Sequence, residues 1–298
     1  MNTQIITETN FTDLKLRNRG KVRDIYEFDE HLLIVATDRI SAFDVIMNEG
    51  IPFKGKVLNQ ISLYWFQLVN NIVKNHIVAT DVNDFPEVCH QYKNELQGRS
   101  VLVKKAKPFP VECIVRGYLS GSGWNEYQKS KSVCSIPLKD GLQESSKLSE
   151  TLFTPSTKAD IGAHDENISF ETMVNLVGIS NAEALKKLSI SVYEKAANEA
   201  LLKGIIIADT KMEFGEINEE IIIIDELLTP DSSRFWPKDN YIVGQSQNSY
   251  DKQFVRDYLL SIKFNKQPPP PELPAQIIEK TSNLYCEALK KLTGKDVE

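Results

Sequence analysis

No segment of the 298-residue sequence is apolar for long enough to cross a bilayer. Purely apolar stretches such as 32–36 and 221–224 fall far short of the ~20 residues that a spanning helix needs. The opening Met1-Asn2-Thr3-Gln4 lacks the basic and apolar segments of a secretion signal. Cysteine is scarce. Cys89, Cys113, Cys134 and Cys286 stand apart with no Cys-x-x-Cys pair, which reads as reduced thiols in a cytoplasmic protein rather than a disulfide scaffold. His31, His76 and His90 have no acidic or cysteine partners at metal spacing, so zinc is not expected. Neither a G-x-S-x-G elbow nor a Ser-His-Asp order is present. Positive charge is in deficit, 35 Lys and Arg against 41 Asp and Glu, for a net charge of −6. That balance is a poor footprint for a polyanion, and it argues against nucleic acid as the main partner.

What is present is an ordinary globular composition, 41% hydrophobic and 26% charged, which excludes wholesale disorder. A chain of this length can bury a core without disulfides or a structural metal, as one large domain or as two lobes sharing a cleft. Residues 20–37 read as a hairpin and 57–75 as a helix with Leu58, Ile61, Trp65, Leu68 and Ile72 on its apolar face. Strands are expected at 100–104 and 111–116, separated by Pro108-Phe109-Pro110. The lobe boundary is therefore placed there, giving a β-rich lobe 1–110 and a larger α/β lobe 111–298. Ser180 and Glu183 form a capping-box pattern ahead of a helix that Gly204 stops. Strands at 205–207 and 221–224 are joined by a hairpin through Gly215-Glu216-Ile217-Asn218. A proline-rich stretch, 268–274, precedes a last amphipathic helix carrying Ile277, Leu284, Tyr285, Ala288 and Leu292.

Three places could carry chemistry. Alternate residues of a strand share a face, so Asp209, Lys211 and Glu213 point one way. A turn centred near Asn218 would set Lys211 opposite Asp225, with Glu213 diagonal to it. Two readings stand for that set: a solvated face laced with ion pairs, or a site for Mg²⁺ and a polyphosphate. In Arg116-Gly117-Tyr118-Leu119-Ser120-Gly121-Ser122-Gly123, small residues at a strand-to-helix turn expose N–H groups to an anion, and Arg116 could clamp phosphate. An ordinary serine-glycine loop is the other reading. Arg19-Gly20-Lys21-Val22-Arg23-Asp24 is either a phosphate-covering turn or an exposed basic one. By contrast, Gly50-Ile51-Pro52-Phe53-Lys54-Gly55-Lys56-Val57 is no P-loop. Val57 stands where the Mg²⁺-binding hydroxyl is needed, and Pro52 removes a loop N–H. The polar stretch 157–167 around His164 reads either as a functional loop or as a merely solvated one.

Two long segments, Pro110-Val111-Glu112-Cys113-Ile114-Val115-Arg116 through Gly121-Ser122 and Ile207-Ala208-Asp209-Thr210-Lys211-Met212-Glu213-Phe214-Gly215, resemble the paired signatures of the SAICAR synthetase family. Gly20 to Tyr26, Thr37-Asp38-Arg39-Ile40-Ser41-Ala42-Phe43-Asp44, Asp225-Glu226 with Thr229 to Trp236, and Ser249-Tyr250-Asp251-Lys252-Gln253 extend the likeness along nearly the whole chain. The length resembles the longer, single-function form of that family. The resemblance implies an α+β fold with two lobes: a β-rich domain like a protein-kinase N-lobe, an ATP-grasp-like α/β lobe, and a C-terminal helix. It implies a ligase of de novo purine synthesis. ATP, carboxyaminoimidazole ribotide (CAIR) and L-aspartate would give SAICAR, ADP and phosphate through an acyl phosphate. ATP and Mg²⁺ are the implied cofactors, and either a monomer or a homo-oligomer is compatible.

The resemblance also implies roles. Gly20, Lys21, Arg23, Lys105 and Glu112 would line the nucleotide site, with Lys211 on phosphate and Glu213 and Asp225 on Mg²⁺. Arg116, Ser120, Ser122, Asp231 and Arg234 would hold the ribotide. Lys158, His164 and Lys252 would hold the aspartate carboxylates. Asp209, Asp38 and His164 stand as candidates for the base that takes the amine proton. The rival classes are a kinase-like phosphotransferase, disfavoured because H-R-D-x-x-x-x-N and D-F-G are missing, and a non-catalytic nucleotide or ribotide sensor.

Overall fold

The computed structural model describes residues 4–158 and 166–298, so His164 lies outside the described residues. Five strands, β1 (Lys15–Arg19), β2 (Arg23–Glu27), β3 (His31–Ala36), β6 (Ile77–Ala79) and β7 (Ser100–Lys104), form an antiparallel sheet of order β1-β2-β3-β7-β6. Its period-2 pattern makes two apolar faces. Tyr26, Leu33, Val35 and Leu102 pack over Phe11, Phe85 and Cys89, while Ile34, Val101 and Val103 turn toward Leu63. A separate ribbon, β4 (Arg39–Ala42) with β5 (Val45–Gly50), leads into helix α1 (Lys54–Leu68).

A seven-stranded sheet builds the rest. Its main path pairs β12 (Lys147–Phe153), β9 (Val111–Tyr118), β14 (Ile205–Ile217) and β15 (Glu220–Ile224) in that order. The short β13 (Ser156–Thr157) joins β9, and β8 (Lys107–Pro108) and β16 (Ser233–Pro237) join β14. Helix α3 (Gly121–Ser130) follows β9 and is itself followed by the small ribbon β10 (Ser132–Val133) with β11 (Ile136–Pro137). One face of β9 and β14, carrying Val111, Cys113, Val115, Met212 and Phe214, is buried under α5 (Ile179–Leu202). Val57, Ile61 and Trp65 of α1 and Tyr285, Leu289 and Leu292 of α7 (Ala275–Thr293) belong to the same core cluster. The core is thus continuous across residue 110. Among the described residues no helix is long and apolar enough to cross a membrane.

The structure departs from the sequence reading in three local places. Helix α1 starts earlier and stops at Leu68, where the Val69 N–H still reaches the Trp65 carbonyl before the chain turns away. Ser180 caps nothing: α5 already starts at Ile179, because Gly178 at φ 82° separates it from α4 (Phe170–Val177). The β14–β15 hairpin turns on two residues, Asn218 and Glu219, with φ 50° and 65°, as a tight hairpin of right-handed twist requires. Gly215 stays within the strand, and Glu213 pairs with Ile224, one residue out of the expected register. Asp225 therefore lies just past the strand end, at φ 65°.

The Gly-Lys pair that mimics a P-loop has a packing explanation. A Cβ on Gly55 would stand 2.2 Å from the Ala36 carbonyl oxygen and 2.5 Å from Arg99 Nη1, so only glycine lets α1 approach β3. Replacing Gly55 by alanine is expected to destabilise the fold by about 1–3 kcal/mol through overpacking. Urea unfolding checks this, and an unchanged midpoint would contradict it.

Candidate active site

Strands β9 and β14 run antiparallel with Asp209 opposite Arg116 and Lys211 opposite Ile114. Alternation turns their apolar residues down into the core. Asp209, Lys211, Glu213, Glu112 and Arg116 are left on the other face. This face holds two charge clusters.

The first centres on Asp209. Arg116 is only 2% exposed and donates to Thr154 Oγ1 at 3.0 Å, to Asp209 Oδ2 at 3.3 Å and to Ser122 Oγ at 3.0 Å. Asp209 also accepts from Ser120 Oγ at 3.0 Å and from Arg234 Nη1, at 2.8 and 2.7 Å for its two oxygens. Burial lowers the Arg116 pKa against the raising effect of Asp209, whereas for Arg234 the Asp209 charge dominates and raises it. Arg234 keeps 30% of its side chain exposed and is the member that faces outward. It lies over Gly121, the first residue of α3, where a Cβ would stand 2.2 Å from Nη2 and where φ is 53°. Glycine is required there twice over, by contact and by backbone. Two guanidinium groups and a helix N-terminus therefore converge, an arrangement suited to a phosphate.

The second cluster joins the two sheets. Lys211 pairs with Glu112, whose other oxygen accepts from Ser156 Oγ at 3.1 Å. Lys158 pairs with Glu213, and Arg23 from β2 pairs with Asp225 and reaches Glu226 at 3.5 Å. Burial works against the Arg23 charge, but Asp225, Glu226 and Glu213 outweigh it and raise its pKa. Burial likewise pushes Asp225 up, and Arg23 and Lys211 bring it below the usual carboxylate range. Glu226, dominated by burial, stays above it. An apolar crevice lined by Ile34, Leu63, Phe66, Ile77 and Val101 opens beside Arg23, Asp225 and Glu226.

Asp231 sits on the turn between these clusters and accepts from Lys54 Nζ and from Tyr285 Oη, each at 2.6 Å. Burial would raise its pKa, but the charges of Lys54 and Lys252 carry it below the ordinary range.

Other expected residues are placed differently. Asp38 is not a base available to a substrate. It is fully buried and bonded by Arg99 at 3.0 and 3.1 Å and by the N–H groups of Ile6 and Gly55 at 2.8 and 2.9 Å. Asp209, held by two arginines and a serine, is likewise committed. Lys105 lies on Glu27 at 2.9 Å, and Lys21 on Asp44 at the surface. The Gly20 N–H closes a turn on the Arg23 carbonyl at 2.8 Å. Lys54, Tyr285, Thr154 and Ser156 were not singled out from the sequence. Lys54 lies inside the stretch that mimics a P-loop, the one signal that could have drawn attention to it.

Breaking the Asp38–Arg99 pair leaves a buried guanidinium uncompensated, so Asp38→Asn is expected to lower stability by about 3–5 kcal/mol. Denaturant titration measures it, and a loss below about 1 kcal/mol, the scale of an exposed pair, would contradict the structural role.

Residues 16–271 match the family described as SAICAR synthetase. The phosphoribosylaminoimidazole-succinocarboxamide synthase of Thermodesulfovibrio yellowstonii is 61% identical over 290 residues, covering 97% of this chain and 99% of the relative. That of Geotalea uraniireducens is 59% identical over 293 residues, covering 98% and 99%. The solved SAICAR synthase of Saccharomyces cerevisiae, complexed with SAICAR, superposes with a TM-score of 0.91 at 47% identity, covering 98% of this chain and 99% of that one. The chain belongs to the SAICAR synthetase family.

Proposed function

We propose that this chain is the ATP-dependent ligase that joins CAIR to L-aspartate, giving SAICAR, ADP and phosphate. The observation that carries the reading at residue level is the shared face of β9 and β14. It sets the arginine pair on Asp209 beside the Lys211, Glu213 and Asp225 cluster. One sheet thus presents a phosphate grip next to groups suited to a nucleoside triphosphate. The β-rich lobe, 1–110, supplies Gly20, Lys21 and Arg23, and the larger lobe, 111–298, supplies the rest.

The chemistry sets the demand. A carboxylate is a poor acyl donor because oxide would have to leave. Transfer of the γ-phosphoryl group of ATP to the CAIR carboxylate releases ADP and forms an acyl phosphate. The aspartate amine then attacks the carbonyl carbon, the C–O bond to phosphate breaks, and an amide forms as the nitrogen loses a proton. Arg234, Arg116, Ser122 and Ser120 hold the ribotide phosphate, and Asp231 orients the ribotide. Lys211 neutralises the transferring group, and Glu112 orients Lys211 through their ion pair. Lys252 and Lys158 attract the aspartate carboxylates. With Asp38 and Asp209 committed to guanidinium groups, His164 and the departing phosphate are left as acceptors of the amine proton.

The carboxylates of Glu213 and Asp225 are hard oxygen donors and fit Mg²⁺. Among the described residues no group of three or more potential ligands gathers to hold an ion alone, which suits a cation that takes its remaining ligands from phosphate and water. When bound, Mg²⁺ would offset the repulsion between the two anionic substrates.

A coupled ADP assay with each substrate omitted in turn tests the function. ADP release is expected to need both CAIR and aspartate for sustained turnover. Turnover without aspartate would mean a phosphotransferase, and ATP binding without release would mean a sensor. Arg234→Ala is expected to raise the KM for CAIR roughly 30-fold, the loss of about 2 kcal/mol, while the KM for ATP changes by less than about threefold. Equal effects on both would move the ribotide phosphate elsewhere. Glu213→Gln is expected to cut turnover by roughly two orders of magnitude or more. It should also abolish the Mg²⁺ dependence of equilibrium ATP binding, and near-normal values of both would contradict its role.

A further inference from the structure

Asp231 is held from beneath by two residues that come from distant parts of the chain. Lys54 is the first residue of α1 and has a fully buried side chain, yet its ammonium lies on Asp231 Oδ2 at 2.6 Å. Tyr285, on the last helix and also fully buried, donates to the other oxygen, Oδ1, at 2.6 Å. The ammonium stands 5.6 Å from the Tyr285 ring centroid, so the three groups form one contact. Ser282 Oγ donates to the Pro52 carbonyl at 2.8 Å and ties the last helix to the start of α1.

The turn that carries Asp231 is closed by its own hydrogen bonds. The Asp231 N–H reaches Thr229 Oγ1 at 3.2 Å, and Thr229 Oγ1 donates to Glu226 at 2.7 Å. The next residue, Ser232, accepts the Lys211 N–H at 2.9 Å, and Arg234 two positions on grips Asp209. Orientation of this one carboxylate is therefore linked to both charge clusters.

We infer that Tyr285 and Lys54 are positioning residues for the ribotide. Each fixes one oxygen of Asp231, and through Tyr285 the last helix sets how tightly the ribotide is held. The inference rests on the reading of Asp231 as a ribotide contact. Tyr285→Phe removes one hydroxyl and keeps the ring that packs in the core.

Steady-state kinetics of the full-length enzyme test this, with CAIR and ATP varied separately. Tyr285→Phe is expected to raise the KM for CAIR between about tenfold and a hundredfold, the range for losing a hydrogen bond to a charged group, with the KM for ATP within about twofold. In the Asp231→Asn background the same substitution is expected to have less than about a twofold effect, because its partner charge is gone. Thr281→Val removes a buried hydroxyl from the same helix and serves as the control. It is expected to lower Tm and leave both KM values unchanged. An unchanged CAIR KM in Tyr285→Phe, equal shifts for ATP, or full additivity with Asp231→Asn would each overturn the inference. Absence of CAIR-dependent turnover in the wild-type enzyme would instead overturn the functional reading on which it stands.

Discussion

A single carboxylate, Asp209, holds two guanidinium groups that would otherwise repel each other on the polar face of β9 and β14. Its position is fixed by the strand register that sets it opposite Arg116, and that register is fixed in turn by the apolar residues of the same strands under α5. Shifting either strand by one residue would turn the charges into the core and the core residues outward. The placement of the arginine pair is therefore a consequence of core packing. Its cost is a carboxylate and an arginine that are nearly dry, tolerable because each has several hydrogen bonds.

In the proposed reaction the second cluster works by exchange of partners. Lys158 and Arg23 lie on Glu213 and Asp225, the two carboxylates that the proposed reaction gives to Mg²⁺, while Lys211 lies on Glu112. On that reading the triphosphate, with more negative charge than any single side chain, draws Lys211, the aspartate substrate draws Lys158, and Glu213 and Asp225 turn to a cation. Arg23 belongs to the first sheet and Asp225 to the turn after β15, so this exchange would take place across the line between the two sheets. The left-handed backbone at Asp225 aims its side chain back toward that line.

Much of this was legible in the sequence because it depends on local periodicity. Alternation along 209–213 places Asp209, Lys211 and Glu213 on one face, and the small residues after Arg116 mark the strand-to-helix turn at Gly121. The hairpin register was missed by one residue. The sequence reading spread the connection over Gly215 to Asn218 and centred it near Asn218, whereas the chain turns on Asn218 and Glu219 and keeps the glycine for close packing against Ala106 and Lys107. Lys54 was illegible for a different reason. A lysine near a helix start reads as solvated, and its partner lies 177 positions away. Tyr285 was assigned to an apolar stripe correctly, but periodicity says nothing about where its hydroxyl goes. Asp38 shows the converse. The family resemblance suggested chemistry there, and its carboxylate is an internal partner of Arg99.

The most direct measurement is a crystal structure of the enzyme with Mg²⁺, a non-hydrolysable ATP analogue and CAIR bound together. The account predicts the terminal phosphate between Lys211 and the Glu213–Asp225 pair, and the ribotide phosphate on Arg234 and Ser122 in the same cleft. Ligands on separate surfaces, or a ribotide phosphate remote from the arginine pair, would contradict it.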